Sequence, residues 1–428
     1  MPSLPSAPDT DIAASWDDLR TIAGAEHLHP AGTGDSVAGV QPQAVFEADN
    51  EMELAAALRH ADAAGLAVVP RGGGTKIGWG NPPVRADLIL STARLNRVIE
   101  HAWADLTVSV ESGCTIQELQ NALAQHSQRI AVDPLWPERA TVGGILSTND
   151  SGSLRIRYGA LRDLVIGVTI ALPDGTLASS GGKVVKNVAG YDLPKLATGA
   201  MGTLGIITRA VFRLHPLPRN SQSFTFGARD LGDANRLILA IQDSRLTPTG
   251  LQARCWPAAP PAVDVRFEGT DAGLAAQAEA LRKLATPGME ATASEMVWEA
   301  RTELWSPAGQ AAIAKFSVLP ASIADTCSRI GRLADSSRVQ WRLVVQGTGL
   351  GWVRLEASSA PAIYETLHAL RLELEPLGGS LAIPYRPAAM PPIDAWGSGG
   401  DVLPLMVSVK QQFDPRGTLN PGRFVGGI

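Results

Sequence analysis

Three stretches concentrate the residues able to handle a large polar ligand. The first is Arg71-Gly72-Gly73-Gly74-Thr75-Lys76, the second runs from Pro134 to Gly175, and the third is Thr198 to Ile207. Glycine removes side chains where something must lie against the main chain, and it tolerates positive φ. Successive N–H groups in Arg71 to Lys76 can form a concave nest for a diphosphate. In the second stretch Thr141, Ser147, Thr148, Asn149 and Ser151 stand among Gly143, Gly144 and Gly152 and offer hydrogen bonds. Two familiar phosphate motifs do not fit. A P-loop needs Gly-Lys-Ser/Thr, but Lys76 follows Thr75, and Gly182-Lys183 is followed by Val184. The dinucleotide fingerprint needs a glycine where Ile77 or Pro83 stands. Each stretch alone is either a flexible loop or part of a site. Spaced about 60 residues apart, they are more economically read as three contacts with one extended ligand.

Candidates for holding a substrate anion are fewer. Arg386 follows a strand and can pair with a carboxylate in bidentate fashion, Lys315 begins a strand, and Lys183 and Lys186 flank the glycine-rich segment. Tyr191 can donate a hydrogen bond. The competing reading of each is a solvated surface group. Trp79, Trp136, Trp305 and Trp341 either line an apolar cavity or pack a core.

The surrounding pattern has to position these residues. Residues 1–41 are a loose lead-in with one short helix at Ser15 to Ala23. From Pro42 an α/β alternation begins, with Asn50 and Glu53 as a capping box and strands expected at Leu66–Val69, Asp87–Leu90 and Thr107–Glu111. These strands read as one parallel layer. Between Asp133 and Leu214 glycine turns separate short strands and helix is scarce, which predicts an antiparallel second lobe. His215-Pro-Leu-Pro218 is a linker. Residues 219–390 then hold two sets of β-α-β-β-α, predicting an antiparallel sheet with helices on one face. The segment 391–428 ends in the turns Asp414-Pro415 and Asn420-Pro421-Gly422; it either packs back over a site or frays.

Composition narrows the function. A chain of 428 residues predicts two or three domains, and 45% hydrophobic with 18% charged residues describes a globular protein. A net charge of −5 argues against nucleic acid as a partner. The N-terminus lacks the pattern of a signal peptide, and no apolar run reaches a membrane-spanning length, so a cytoplasmic location is expected. Cys114, Cys255 and Cys327 are far apart and form no cluster-binding motif. His27 and His29 have no evident third ligand, so no metal is expected.

Arg71 to Thr75, Pro134 to Gly175, Lys186-Asn-Val-Ala-Gly-Tyr-Asp-Leu193 and Gly202-Thr-Leu-Gly-Ile206, in this order and spacing, resemble the FAD-binding domain of the vanillyl-alcohol oxidase / p-cresol methylhydroxylase flavoproteins. The resemblance covers about residues 42 to 218 and the Asn420-Pro421-Gly422 tail. It implies an α+β fold: a two-lobed FAD-binding domain over 42–218, a cap over 219–390 with ferredoxin-like repeats, and a tail, 391–428, returning to the FAD domain. Within the family the chain is most similar to the FAD-binding subunits of bacterial glycolate oxidases. The resemblance places the FAD diphosphate on Arg71, Gly72, Gly73, Gly74 and Thr75. It places ribityl and isoalloxazine contacts on Pro134, Thr141, Gly143, Gly144, Ser147, Asn149 and Gly152, with Ile206 and Ile207 at the flavin or adenine edge. No histidine stands in the first glycine loop, so the FAD is expected to be non-covalent. The implied activity is oxidation of glycolate or another 2-hydroxy acid. The implied partners are a catalytic flavoprotein subunit and an iron–sulfur subunit, with contact to the inner face of the cell membrane through that complex. The chain departs from the family's hydroxy-acid dehydrogenases in lacking a His-x-Gly-Asp-Gly-Asn metal segment. That leaves open whether it oxidises substrate itself, works as a free-standing oxidoreductase, or relays electrons.

Overall fold

The computed structural model describes residues 12–182, 191–286, 291–292, 294–306 and 309–428. Lys183, Lys186 and most of the segment from Lys186 to Leu193 lie outside the described residues.

The first lobe is a four-stranded sheet in the order Leu28–Pro30, Ala44–Glu47, Leu88–Ser91, Val68–Arg71; the first pair is antiparallel and the others are parallel. Helix Glu51–Ala63 covers it, burying Leu54, Ala55, Ala57, Leu58 and Ala61 on one stripe. Its first turn is fastened as the spacing predicts: the Asn50 side chain accepts from Met52 N and Glu53 N, at 3.1 and 3.0 Å. Val68–Arg71 is the edge strand, so it delivers Arg71 and the glycine loop to the rim of the lobe. The chain's tail runs beside the same strand, with Val68 N donating to Thr418 O and Asn420 N to Val68 O, at 2.7 and 2.9 Å. The tail is therefore packed, not frayed. Asp414, buried beneath it, accepts from Lys410 Nζ, Thr418 N and Leu419 N.

The second lobe is a five-stranded antiparallel sheet in the order Val98–Ala102, Thr107–Glu111, Ile206–Arg213, Val165–Ala171, Leu177–Gly181. Thr107–Glu111 belongs here and not to the parallel layer expected for it. It pairs with the preceding Val98–Ala102 on one side and with Ile206–Arg213, about a hundred residues away, on the other, and local alternation carries no information about that second pairing. The glycine-rich stretch also holds a helix that its composition did not suggest, Val142–Thr148. Thr141 caps it by accepting from Gly144 N at 3.3 Å, and Asn149 ends it with a φ of 47°.

The cap is one eight-stranded antiparallel sheet built from two β-α-β-β-α units. Strands Gly250–Cys255 and Gln340–Gln346 pair edge to edge and fuse the units, so the repeat read from the sequence is the architecture. Alternation assigns the two faces. Leu251, Val265, Leu343, Val353 and Ala314 face four helices and form the core. Gln252, Asp264, Arg266, Gln346, Trp352 and Lys315, out of phase with them, face the first two lobes.

Candidate functional site

The glycine loop is shaped first by its own protein. A Cβ on Gly73 would stand 1.8 Å from Arg139 O, and one on Gly72 would stand 2.1 Å from Thr141 Oγ1. These two positions require glycine because the loop lies flat on the segment entering helix Val142–Thr148. Gly74 differs: its φ is +70° and a Cβ there would meet no atom closer than 3.8 Å. The loop is tethered by Arg71, whose guanidinium pairs with Asp35 and holds that carboxyl below its ordinary pKa.

One cleft gathers all three glycine-rich stretches. Arg71, Gly72, Gly73, Gly74 and Thr75 form one wall, Thr141, Gly143, Gly144 and Ser147 a second, and Gly202, Gly205, Ile206 and Ile207 a third; Asn420 and Arg423 of the tail close it. Among the described residues, the cations Arg71, Lys76 and Arg423 line the cleft with backbone and hydroxyl groups, and no carboxylate does. Arg423 is buried and faces no carboxylate among the described residues. It donates to Ile77 O and Trp79 O at 2.5 and 2.7 Å, its Nε has no partner, and burial lowers its pKa to about 10. Asn149 lies beside Gly199, outside the lining, with its Oδ1 buried and unpartnered. A cleft of backbone donors, cations and no acid is matched to a ligand carrying a diphosphate. Among the described residues, no histidine, cysteine or tyrosine lines it.

Beneath the cleft lies a buried charge network. Asp150 is 0% exposed and receives Lys76 Nζ at 3.1 Å and Arg301 Nη1 at 3.0 Å. Arg301 also donates to the Ser151 and Asp133 carbonyls, both at 2.9 Å. Burial pushes the Asp150 carboxyl up, but Arg301 and Lys76 outweigh it and hold the pKa below its ordinary value. Burial lowers the Lys76 pKa against the pull of Asp150. The network ties the first glycine loop, the second glycine stretch and the cap to one carboxylate.

Around it stand tryptophans. Trp79 and Trp305 stack at 5.4 Å, with Trp136 edge-on to Trp305 and Trp352 tilted beside both. Trp341 does not join them; it packs on the helix side of the cap and donates to Asp335. Lys315 Nζ lies 5.2 Å from the Trp352 ring centroid, and burial lowers its pKa to about 8. Arg386 reaches the Gly80 carbonyl at 3.5 Å and lines neither this cleft nor the cavity beside it. Tyr191 is 90% exposed, so the structure does not place its hydroxyl in a site.

Pro134 and Gly152 are separated from the cleft and line a second cavity, under the cap. Gly152 is held there by Asp133, which accepts from the Gly152, Ser153 and Leu154 amides. Lys76 stood in the first stretch without a role of its own, and Arg423, Asp150 and Arg301 were not singled out from the sequence. Arg301 had no signal, being an ordinary helical arginine until the cap folds onto Asp150. Arg423 was signalled by the Asn-Pro-Gly-Arg turn, which fixes its approach.

A family model for an FAD binding domain matches residues 42–181. The chain is 31% identical over 211 residues to the glycolate oxidase subunit GlcD of Bacillus subtilis, covering 49% of this chain and 45% of that one. It is 29% identical over 339 residues to the mitochondrial D-lactate dehydrogenase [cytochrome] of Arabidopsis thaliana, covering 74% and 59%. The match thus spans less than two thirds of either relative's length. A substrate-bound structure of p-cresol methylhydroxylase superposes with a TM-score of 0.76 over 98% of each chain, at 15% identity. The fold is that of the p-cresol methylhydroxylase-type flavoproteins. Within that fold, residues 42–181 are the part that matches the FAD binding domain family.

Proposed function

We propose that the chain is an FAD-dependent oxidoreductase subunit acting on 2-hydroxy acids, glycolate among them, within a glycolate oxidase-type complex. The observation that carries this reading is the convergence of the three glycine stretches and Arg423 on one cleft without an acidic group. The cleft fits FAD: the amides of Gly72 to Thr75 and the Arg71 guanidinium would hold the diphosphate, and Thr141, Ser147 and the Ile206 and Ile207 main chain the remaining polar edges. Among the described residues no histidine, cysteine or tyrosine lines the cleft, which supports reading the FAD as held non-covalently. When bound, FAD supplies the two-electron acceptor for oxidation of a hydroxyl carbon to a carbonyl. The protein's own part is binding and orientation. Arg423 presents a positive charge at the closing end of the cleft, Asp150 holds the cap on the loop through Arg301 and Lys76, and the tryptophans keep the space beneath the cap dry.

The relatives' names, glycolate oxidase subunit and D-lactate dehydrogenase, support hydroxy acids as the substrate class. Electrons then pass to a second flavoprotein subunit and an iron–sulfur subunit, and any membrane contact runs through them. No helix among the described residues is long and apolar enough to cross a membrane. The test is anaerobic addition of glycolate and D-lactate to the isolated chain and to the reconstituted complex, following flavin absorbance. Bleaching in the complex supports the reading. Bleaching in neither sinks the assignment of substrate class.

A further inference from the structure

The cavity under the cap contains polar groups that the cofactor cleft does not use. It measures about 380 Å³ and lies between the Pro134 and Gly152 main chain and the inner face of the cap sheet. The Arg266 guanidinium lies 4.6 Å from the Trp298 ring centroid and donates to Ser153 Oγ at 3.3 Å. Its Nε is buried without a partner, and the nearby Glu268 carboxylate is held by Arg129 and Tyr158. Gln346, also lining the cavity, is 4% exposed, and its Oε1 has no hydrogen-bond partner. An orphan acceptor this deep carries its full desolvation cost unless a donor arrives.

The other charges facing this space are already committed or lie at its mouth. Asp133 is saturated by the amides of Gly152, Ser153 and Leu154 and the Ser153 hydroxyl. Arg301 is committed to Asp150 and two carbonyls. Glu138 and Glu299 are exposed at the rim, where they repel ligands of high negative charge. Among the described residues, Arg266 without a paired carboxylate and the unpartnered Gln346 Oε1 remain inside, with the faces of Trp136, Trp298 and Trp352.

We infer that this cavity binds a 2-hydroxy monocarboxylic acid with a bulky, aromatic side chain. Its carboxylate pairs with Arg266, its hydroxyl donates to Gln346 Oε1, and its side chain lies among the tryptophans. The inference rests on the preceding reading for the hydroxy-acid class, and it adds size: glycolate is far too small to fill a space of this volume.

The test is calorimetric titration of the FAD-loaded full chain with 3-phenyllactate, 3-phenylpropionate and glycolate. The wild-type chain is expected to bind phenyllactate at least about tenfold more tightly than either of the others. Arg266→Gln should weaken all three. Gln346→Leu should remove the preference for phenyllactate over phenylpropionate while leaving FAD content unchanged. Failure of phenyllactate to bind the wild-type chain overturns the inference, as does binding that neither substitution alters in chains that keep their FAD. If the chain takes up no FAD, the preceding reading fails by itself. Titration of the cofactor-free chain then decides the cavity: Arg266-dependent binding supports it, and no binding overturns it.

Discussion

Lys76 Nζ lies 3.1 Å from Asp150 Oδ2, joining the first glycine loop to the second glycine stretch inside the protein, and Arg301 completes the contact from the cap. Removing one partner of a buried ion pair leaves an uncompensated charge and costs on the order of 3–5 kcal/mol. Asp150→Asn leaves two buried cations without a counter-ion. It is expected to lower unfolding stability by about that amount in urea titrations. The double variant Asp150→Asn/Lys76→Met should recover part of the loss, and strict additivity would show that the pair is not coupled.

Neighbouring glycines of the first loop should respond differently. Gly73→Ala drives a Cβ into the Arg139 carbonyl, so the loop must move and FAD binding should be lost. Gly74→Ala meets open space and carries only the strain of positive φ, about 1 kcal/mol. Its FAD affinity should fall by roughly tenfold at most. Flavin fluorescence titration of both variants checks the order.

Arg423 is a buried cation that no carboxylate among the described residues answers. Arg423→Gln keeps a donor for the Ile77 and Trp79 carbonyls and removes the charge. It should weaken FAD by about tenfold to a hundredfold, at about 1.4 kcal/mol per tenfold, while the cofactor-free chain loses little stability. Equal losses in FAD affinity and apoprotein stability would assign Arg423 a structural role instead.

Lys315 sets a pH dependence. Burial depresses its folded pKa to about 8 from 10.5, with Arg301 and Arg155 adding to the shift and Asp150 opposing it. Below about pH 8 both states carry the proton and the folded chain bears the cost of the buried charge. Between about 8 and 10.5 the unfolded chain binds the proton and the folded chain does not, so this group makes stability rise with pH. Lys315→Met should abolish that rise and be the more stable protein below pH 8. Parallel profiles for the two proteins would contradict the assignment.

Much of this was legible from residue order. Helix Glu51–Ala63 and the cap repeats follow local capping and alternation, so their reading needed no partner. The glycine loop was legible as a contact surface. The reason for Gly72 and Gly73 was not, since it lies in their approach to Arg139 and Thr141. Long-range pairings carried the rest. Thr107–Glu111 was placed in the wrong sheet, helix Val142–Thr148 was hidden by poor helix formers, and Asp150 gave no sign of the two cations that meet it. Tyr191 and Trp341 had suitable chemistry and the wrong surroundings.

The central claim is that the cleft formed by the three glycine stretches and Arg423 holds FAD without a covalent bond. It is tested most directly by titrating cofactor-free chain with FAD, precipitating with acid, and measuring flavin in the supernatant for the wild type and Gly73→Ala. The expected result is stoichiometric uptake by the wild type, full release on acidification, and no uptake by the variant. A colourless wild-type chain that ignores added FAD, or equal uptake by Gly73→Ala, would contradict it.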